Sequence, residues 1–533
     1  MLSYNQSTGF IPAGVTAGEY LDRAVQTSPD KIALIYEDET LTYREFANKV
    51  TNLAAALINL GVKQGDKVAI IMPNWLEMVI VSQAIMKIGA VKVPMHINFR
   101  TVEITTTLKH CEAKALIMAS EWGGYSYANT INSIRHELPD LKNVIVIGPT
   151  QADMISFRQL LTENSCAQKT VDDYLKENPV EADDLACILY TSGTTGTPKG
   201  ILHTHNSIYR LAASSNIRRK VGEQEVWLGM LPLSSAFGIQ YIELCPIVSC
   251  STLVLMEAYD PLKALQLIDK YKVTSPVGVP TMFIRMLKHP DFENSNVSSV
   301  RNAYLGGAAS PEDMMLDIKA KFGCNMTITY GASEFGHSTM TELDDSMDII
   351  CNTSGVPIYG GSEVKIVGAN GRIVERNEIG EIYSRSFGNS FGYYKDPERT
   401  ESTYTNDGWI HVGDLGVMND EGYISVVGRS KDMIVRGGHN VYPDEIESIL
   451  NACPGVELVS IVGYPDPELG ERTCAFVRLK ADMTTITRQD LVAFLAGKVA
   501  KYKIPDLVKI VDQFPMTASG KIQKNKLKEL LTA

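Results

Sequence analysis

Apolar residues recur at helical spacing through FANKVTNLAAALINLGV, which stops at Gly61, and then form a short β-branched run, DKVAIIMPN, ended by Pro73 and Asn74. A second apolar run, DLACILYTS, enters a loop of glycine and threonine, and NSIYRLAASSNIRR then returns to helical spacing. Alternation of helix and strand on this scale predicts an α/β architecture. The pattern restarts near residue 430. There, PDEIESILNA reads as a helix with Pro443 and acidic residues in its first turn, VELVSIVGY and CAFVRLK read as strands, and RQDLVAFLAGKVA as a second helix. Two units are therefore expected, a large one over 1–428 and a small one over 429–533.

The 533 residues, 44% hydrophobic and 21% charged, supply ample material for such cores. The net charge of −12 argues against sequence-independent adhesion to nucleic acid. The small unit differs, with 15 basic against 13 acidic side chains, and eight lysines between Lys498 and Lys528 against Asp506 and Asp512. Such a run is ordinarily a solvated face, and its sharper reading is a basic cap for a phosphate-bearing substrate. Nine scattered cysteines with no C-x-x-C pair give neither a disulfide framework nor a zinc site. The apolar stretch MVIVSQAIMKIGAVKV is broken by Ser82, Gln83, Lys87 and Lys92, and MLSYNQSTGF lacks a basic-then-apolar leader. The expectation is a cytoplasmic protein with no integral membrane segment.

Chemistry concentrates first in YTSGTTGTPKG, Tyr190 to Gly200. Its glycines let backbone approach an anion, its hydroxyls and N–H groups donate, and Lys199 adds charge, which suits a polyphosphate. It is not a Walker A loop, because Lys199 follows Pro198 and the glycine spacing differs, nor is it G-x-G-x-x-G.

This segment resembles the phosphate loop of the adenylate-forming superfamily, in its acyl-CoA synthetase branch. Further segments follow in that family's order: TYGASE (Thr329 to Glu334), GWIHVGDLG (Gly408 to Gly416), GRSKDMIVRGGHNVYPDEIE (Gly428 to Glu447), and YKIP with PMTASGKI (Tyr502 to Ile522). LTYREF and IGAVKVPMHINFR also fit, so the resemblance spans nearly the whole chain. It implies a large N-terminal domain of α/β subdomains with a distorted β-barrel, and a small mobile C-terminal α/β lid. It also implies a two-step reaction, in which carboxylate and ATP give acyl-AMP and pyrophosphate, and a thiol, usually of coenzyme A, then displaces AMP.

Residue roles follow from the same resemblance. Lys521, Glu334 and Lys199 are the implied catalytic groups, with Lys521 offsetting charge that builds as carboxylate meets α-phosphate. Glu334 and Thr191 are the implied ligands of Mg²⁺, a hard cation that oxygen donors suit. Thr191, Ser192, Gly193, Thr194, Thr195 and Gly196 form the implied phosphate loop. Gly307, Ala308, Tyr330, Gly331, Ser333, Asp414 and Arg429 complete the nucleotide site, with Tyr330 stacking on adenine and Asp414 accepting the ribose hydroxyls. The implied acyl pocket takes Ser235, Phe237, Gly306, Gly331 and His337, and Lys431, Gly437 and Gly438 form the hinge and the coenzyme A channel.

Two positions depart from the family pattern. In LPLSSAFG, Ser235 stands where relatives carry histidine, and Val412 replaces a threonine of the T-G-D segment. His203 and His205 suggest a metal pair by spacing, but in KGILHTHNS the second histidine matches a structural position of the family. The stretch SSAFGIQ carries no carboxylate for an amino-acid ammonium, and Val277 to Thr281, Tyr304 to Ala309 and Phe335 to Ser338 are apolar or small apart from His337. An apolar fatty, aryl or alicyclic acid is expected. A ligase loading an acyl carrier protein and a nucleotide-binding regulator are the alternatives. The resemblance further allows a homodimer, and control of Lys521 by a lysine acetyltransferase and deacetylase.

Overall fold

Strand Lys67–Ile71 lies at the heart of a seven-stranded sheet. The computed structural model describes residues 13–161, 166–191, 199–306, 312–359, 361–436, 439–481, 483, 485–496, 498–517 and 521–532. In this first sheet the order runs Lys199–Thr204, Leu185–Thr191, Val91–Pro94, Lys67–Ile71, Ala115–Ala119, Asn143–Ile147, Ile155–Ser156, parallel except for its first pair. Helix Tyr43–Asn59 begins on a Thr42/Glu45 capping box and buries Phe46, Val50, Leu53 and Leu57, the stripe that the apolar spacing predicts. Beyond its end Gly61 takes φ +82°, a conformation that glycine adopts without strain.

A nine-stranded sheet shares the same core, with six parallel strands at its centre from Asn325–Ala332 across to Ile32–Tyr36. Joining the two sheets is a buried polar network in which Lys92 Nζ meets Glu243 Oε2 at 3.1 Å. Ser82 Oγ and Gln83 Nε2 both donate to Glu243 Oε1, and the Tyr209 hydroxyl donates to Gln83 Oε1. The polar residues that interrupt the apolar stretch from Met78 therefore complete an internal network, and Lys87 pairs with Asp22 at 2.9 Å. Full pairing matters here, since a buried charge stripped of its partner costs about 3–5 kcal/mol. Glu243 lies on a π-helical turn, Gly238–Leu244, directly after the LPLSSAFG segment.

The third sheet is antiparallel: Glu363–Val367, Gly380–Arg385, Ile410–Met418, Ile424–Arg429. Here the expectation of a barrel needs correction. Four strands pair in a row and the outer two do not meet, so among the described residues this is an open sheet. Four strands are too few to close around side chains.

After Arg429 a short 3₁₀ turn, Ser430–Asp432, leads into the small C-terminal domain. Its sheet pairs Val456–Asp466 with Gly470–Leu479 over ten registered positions, with Ile434–Arg436 and Leu507–Ile510 flanking. Helix Pro443–Asn451 starts as predicted, with Pro443, Asp444 and Glu445 in its first turn. The basic run is not simply a solvated face. Lys503 pairs with Glu445 at 2.7 Å, and Lys524 bridges Asp444 at 3.2 Å and Glu447 at 2.8 Å. No helix among the described residues is long and apolar enough to cross a membrane.

Candidate active site

Thr191 and Lys199 face each other as the last registered pair of two antiparallel strands, so the glycine-rich segment connects a strand to a strand. In this it differs from a Walker A loop, which opens a helix. Ser192, Gly193, Thr194, Thr195 and Gly196 lie outside the described residues, as do Gly307 and Ala308, and Gly437 and Gly438. Lys199 projects over the Tyr393 ring, 5.7 Å from its centre. Burial lowers its pKa from the ordinary lysine value, Glu334 opposes that shift, and Arg399, Lys431 and Arg429 reinforce it. Past Thr204, which caps with Ser207, the chain enters helix His205–Arg218.

TYGASEFG folds as a tight hairpin between Asn325–Ala332 and Gly336–Met340, with the register slipping between Tyr330 and Gly331. A Cβ on Gly331 would lie 2.0 Å from the Gly336 carbonyl oxygen, so only glycine fits. Gly331→Ala is expected to destabilise the protein by on the order of 3 kcal/mol through backbone overpacking. A thermal midpoint equal to the wild type would show that the hairpin has room.

The turn of this hairpin presents Ser333 and Glu334. His203 Nε2 meets the Ser333 carbonyl at 2.8 Å, and burial holds that imidazole neutral, with its pKa lowered to about 4. His205 is likewise pushed down to about 4 by burial, and its Nδ1 accepts from Ala17 N. Both are structural, and among the described residues no cluster of three metal-binding side chains exists. The Tyr393 hydroxyl donates to Glu334 Oε1 at 2.7 Å, and Ser390 N donates to the Glu334 carbonyl at 2.8 Å. Tyr393 is a site residue that the sequence motifs miss. Its only sequence signal is the aromatic pair in FGYYKDPE.

Tyr330 is buried, and its hydroxyl donates to Asp414 Oδ2 at 2.9 Å. Arg429 Nε meets the other oxygen, Asp414 Oδ1, also at 2.9 Å. Register explains the pair, because Asp414 and Arg429 are opposed across neighbouring strands. Burial works against the Arg429 charge, but Asp414, Asp432, Tyr330 and Glu334 outweigh it and raise its pKa. Gly413, at φ +83°, donates its N–H to Glu381 Oε1, which fixes the turn before Asp414.

Lys521 comes to this group from the C-terminal domain. Its backbone is clamped to Thr517, with Thr517 N donating to the Lys521 carbonyl at 2.7 Å and Lys521 N donating to Thr517 Oγ1 at 3.1 Å. The protein around it and the Arg429 charge lower its pKa, while Asp414 and Glu334 pull the other way. Lys431, exposed in the turn between the domains, adds to the lowering.

Among the residues that the resemblance implies for the acyl pocket, Ser235, Phe237, Gly306 and His337 have the following partners and surroundings. Ser235 Oγ donates to the Pro232 carbonyl at 2.8 Å and accepts from Gly238 N at 3.0 Å. That hydroxyl is spent on its own turn. Asn74 holds the same segment, accepting from Leu233 N and donating to the Leu231 carbonyl, both at 2.9 Å. Phe237 stands edge-on to Tyr241 and Tyr304, and its Cζ lies 3.2 Å from where a Gly306 Cβ would be. His337 is buried against Tyr241, and burial lowers its pKa to about 3.

The structure thus groups the carboxylates of Glu334 and Asp414 with the cations of Lys199, Arg429 and Lys521. Residues 21–394 match the family model of the AMP-binding enzyme, and residues 445–521 match that of the AMP-binding enzyme C-terminal domain. The chain is 35% identical over 535 residues to a provisionally named acyl-CoA synthetase of Bacillus subtilis (strain 168), YngI, covering 96% of each. It is 30% identical over 510 residues to the medium-chain fatty-acid–CoA ligase of Escherichia coli (strain K12), covering 95% of this chain and 88% of that one. The crystal structure of the anthranilate CoA ligase AuaEII in complex with anthranoyl-AMP superposes with a TM-score of 0.87 at 27% identity, covering 99% and 98%. With both family models matched in order and relatives of this kind aligned over nearly the whole chain, the chain belongs to the AMP-binding enzymes of the adenylate-forming superfamily, in its acyl-CoA synthetase branch.

Proposed function

We propose that this protein activates a carboxylic acid of largely hydrocarbon character as its acyl-AMP, with loss of pyrophosphate, and then passes the acyl group to coenzyme A. The observation that carries this reading is the approach of Lys521 to Asp414, Arg429 and Glu334 across the two domains. A carboxylate is too stable for direct thiol attack, so adenylation supplies a leaving group. The charge that develops as carboxylate and α-phosphate join needs a cation already in position. Lys521 serves that charge, Lys199 and the loop from Thr191 to Gly196 hold the outer phosphates, and Asp414 with Arg429 holds the ribose. The lone pairs of Asp414 leave room for ribose hydroxyls beside Tyr330 and Arg429, since each carboxylate oxygen accepts twice.

Glu334 suits Mg²⁺ as a single hard carboxylate anchored by Tyr393, with phosphate oxygens and water completing the shell. Bound there, the ion would neutralise phosphate charge. In the same reading the domain boundary falls at 428/429, Lys431 is the pivot, and Gly437 and Gly438 line the thiol channel after rotation. Acetylation of Lys521 would silence the first step by removing its charge. The setting is cytoplasmic, and a homodimer is compatible with it.

The acids of the two named ligases, medium-chain fatty acids and anthranilate, bracket the size range to test. Pyrophosphate exchange with a panel of straight-chain, cyclic and aryl acids should be dependent on acid and on Mg²⁺, and free coenzyme A should be consumed. Exchange without coenzyme A consumption would point to a carrier-protein acceptor. No exchange with any acid would leave a nucleotide-binding regulator.

A further inference from the structure

Next to Gly306 the protein buries a set of polar groups that it does not pair. A Cβ on Gly306 would meet Thr329 Cγ2 and Phe237 Cζ, so Gly306 abuts both side chains. From Phe237 an aromatic run goes inward, to Tyr304 at 5.6 Å and Tyr241 at 4.8 Å between ring centres, and from Tyr241 to His337 at 5.0 Å. Tyr241, Tyr304 and His337 are each at most 2% exposed. The Tyr241 and Tyr304 hydroxyls neighbour each other and that of Thr329, which donates to the Thr339 carbonyl. Neither tyrosine hydroxyl has a well-formed hydrogen bond, and both His337 ring nitrogens also lack a partner. Behind Tyr304 lies the fully buried Arg219, its guanidinium between the Tyr304 and Trp227 rings, with Nε and Nη1 unpartnered.

Other buried groups of the same kind are paired: Tyr209 with Gln83, Tyr43 with two carbonyls, Trp227 with Ser251. Leaving buried donors unmet is costly unless something else completes them. We propose that the inner end of the acyl pocket receives a neutral oxygen, a ketone carbonyl on the far part of the substrate's carbon skeleton, held by the Tyr241 and Tyr304 hydroxyls and His337. This rests on the carboxylate-activating reading given above.

The donor chemistry favours a neutral oxygen over a second carboxylate. Burial keeps His337 uncharged and holds the phenols protonated. With one phenol turned towards the other, one hydroxyl and one imidazole N–H remain to meet the two lone pairs of a carbonyl. The Arg219 cation is directed at ring faces, with Glu225 contributing to its field. A buried carboxylate would face mainly neutral donors.

Pyrophosphate exchange tests this with straight-chain and cyclohexyl-bearing acids. Each skeleton is supplied as the plain hydrocarbon acid, with one distal methylene replaced by carbonyl, and as the dicarboxylic acid. The carbonyl member of at least one skeleton should exceed its hydrocarbon counterpart about tenfold or more in kcat/KM, because a site built to hydrogen-bond a group rejects the analogue lacking it. In Tyr304→Phe and Tyr241→Phe that ratio should fall towards one, and His337→Leu should act likewise. A purely structural role would slow both members equally and leave the ratio untouched, which would overturn the proposal. Preference of the wild type for the hydrocarbon or the dicarboxylic member of every skeleton would also overturn it, while sustaining adenylation itself. Failure with every acid would defeat both readings together.

Discussion

Lys521→Ala is expected to slow acyl-AMP formation by about 10²–10³, the usual consequence of removing one well-placed electrostatic contact from a transition state. Thioester formation from supplied acyl-AMP should be spared, since the lysine serves only the step in which carboxylate meets α-phosphate. Single-turnover assays of each half-reaction read the difference, and equal losses in both would remove Lys521 from that role. The environment of Lys521 adds a pH signature. Desolvation by the protein around it and the neighbouring Arg429 lower its pKa. The ammonium is the active form, so adenylation should decline as pH rises through a value below that of an ordinary lysine. Lys521→Arg, charged throughout, should not show that decline in whatever activity it retains. A wild-type profile flat up to the ordinary lysine range would contradict the assignment.

Asp414→Ala carries the other large effect. The carboxylate holds the Tyr330 hydroxyl on one oxygen and Arg429 on the other, each at 2.9 Å. Hydrogen bonds to a charged group are worth about 1.5–3 kcal/mol each, so losing both the internal pair and the ribose contacts should weaken ATP binding by on the order of 10². Titration with a non-hydrolysable ATP analogue measures this directly. Asp414→Asn keeps the shape without the charge and should fall between the two. Unchanged nucleotide affinity in Asp414→Ala would detach the residue from the ribose. A lowered thermal midpoint is expected alongside, because Arg429 and the buried Tyr330 hydroxyl lose their acceptor.

Much of the molecule was legible along the chain because it depends on local periodicity. Tyr43–Asn59, Lys67–Ile71 and Pro443–Asn451 announce themselves through spacing, a Thr-x-x-Glu cap, and a proline beside acids. The hairpin around Glu334 needs Gly331, and Gly331 is in the motif. Other features depend on partners far away in sequence. Tyr393 reaches Glu334 across 59 positions, and Asn74 braces the acyl segment across more than 150. Nothing in the local pattern around either residue records the contact.

The sequence by itself determined the α/β class of both units and the order of segments that resemble the adenylate-forming enzymes. Short-range sterics, capping and glycine tolerance decide such features, and each is written in neighbouring residues. The tertiary structure alone decided what the polar residues do. It turned Lys92 and Ser82, which read as interruptions of an apolar run, into partners of Glu243. It drew Lys524 out of a seemingly solvated basic run into a bridge with Asp444 and Glu447. It also left the antiparallel sheet open among the described residues, and buried His337 and Arg219 beside the aromatic rings of Tyr241 and Tyr304. The physical reason is that a charge or hydroxyl gains or loses most by what meets it after burial, and burial brings together residues that the chain keeps far apart.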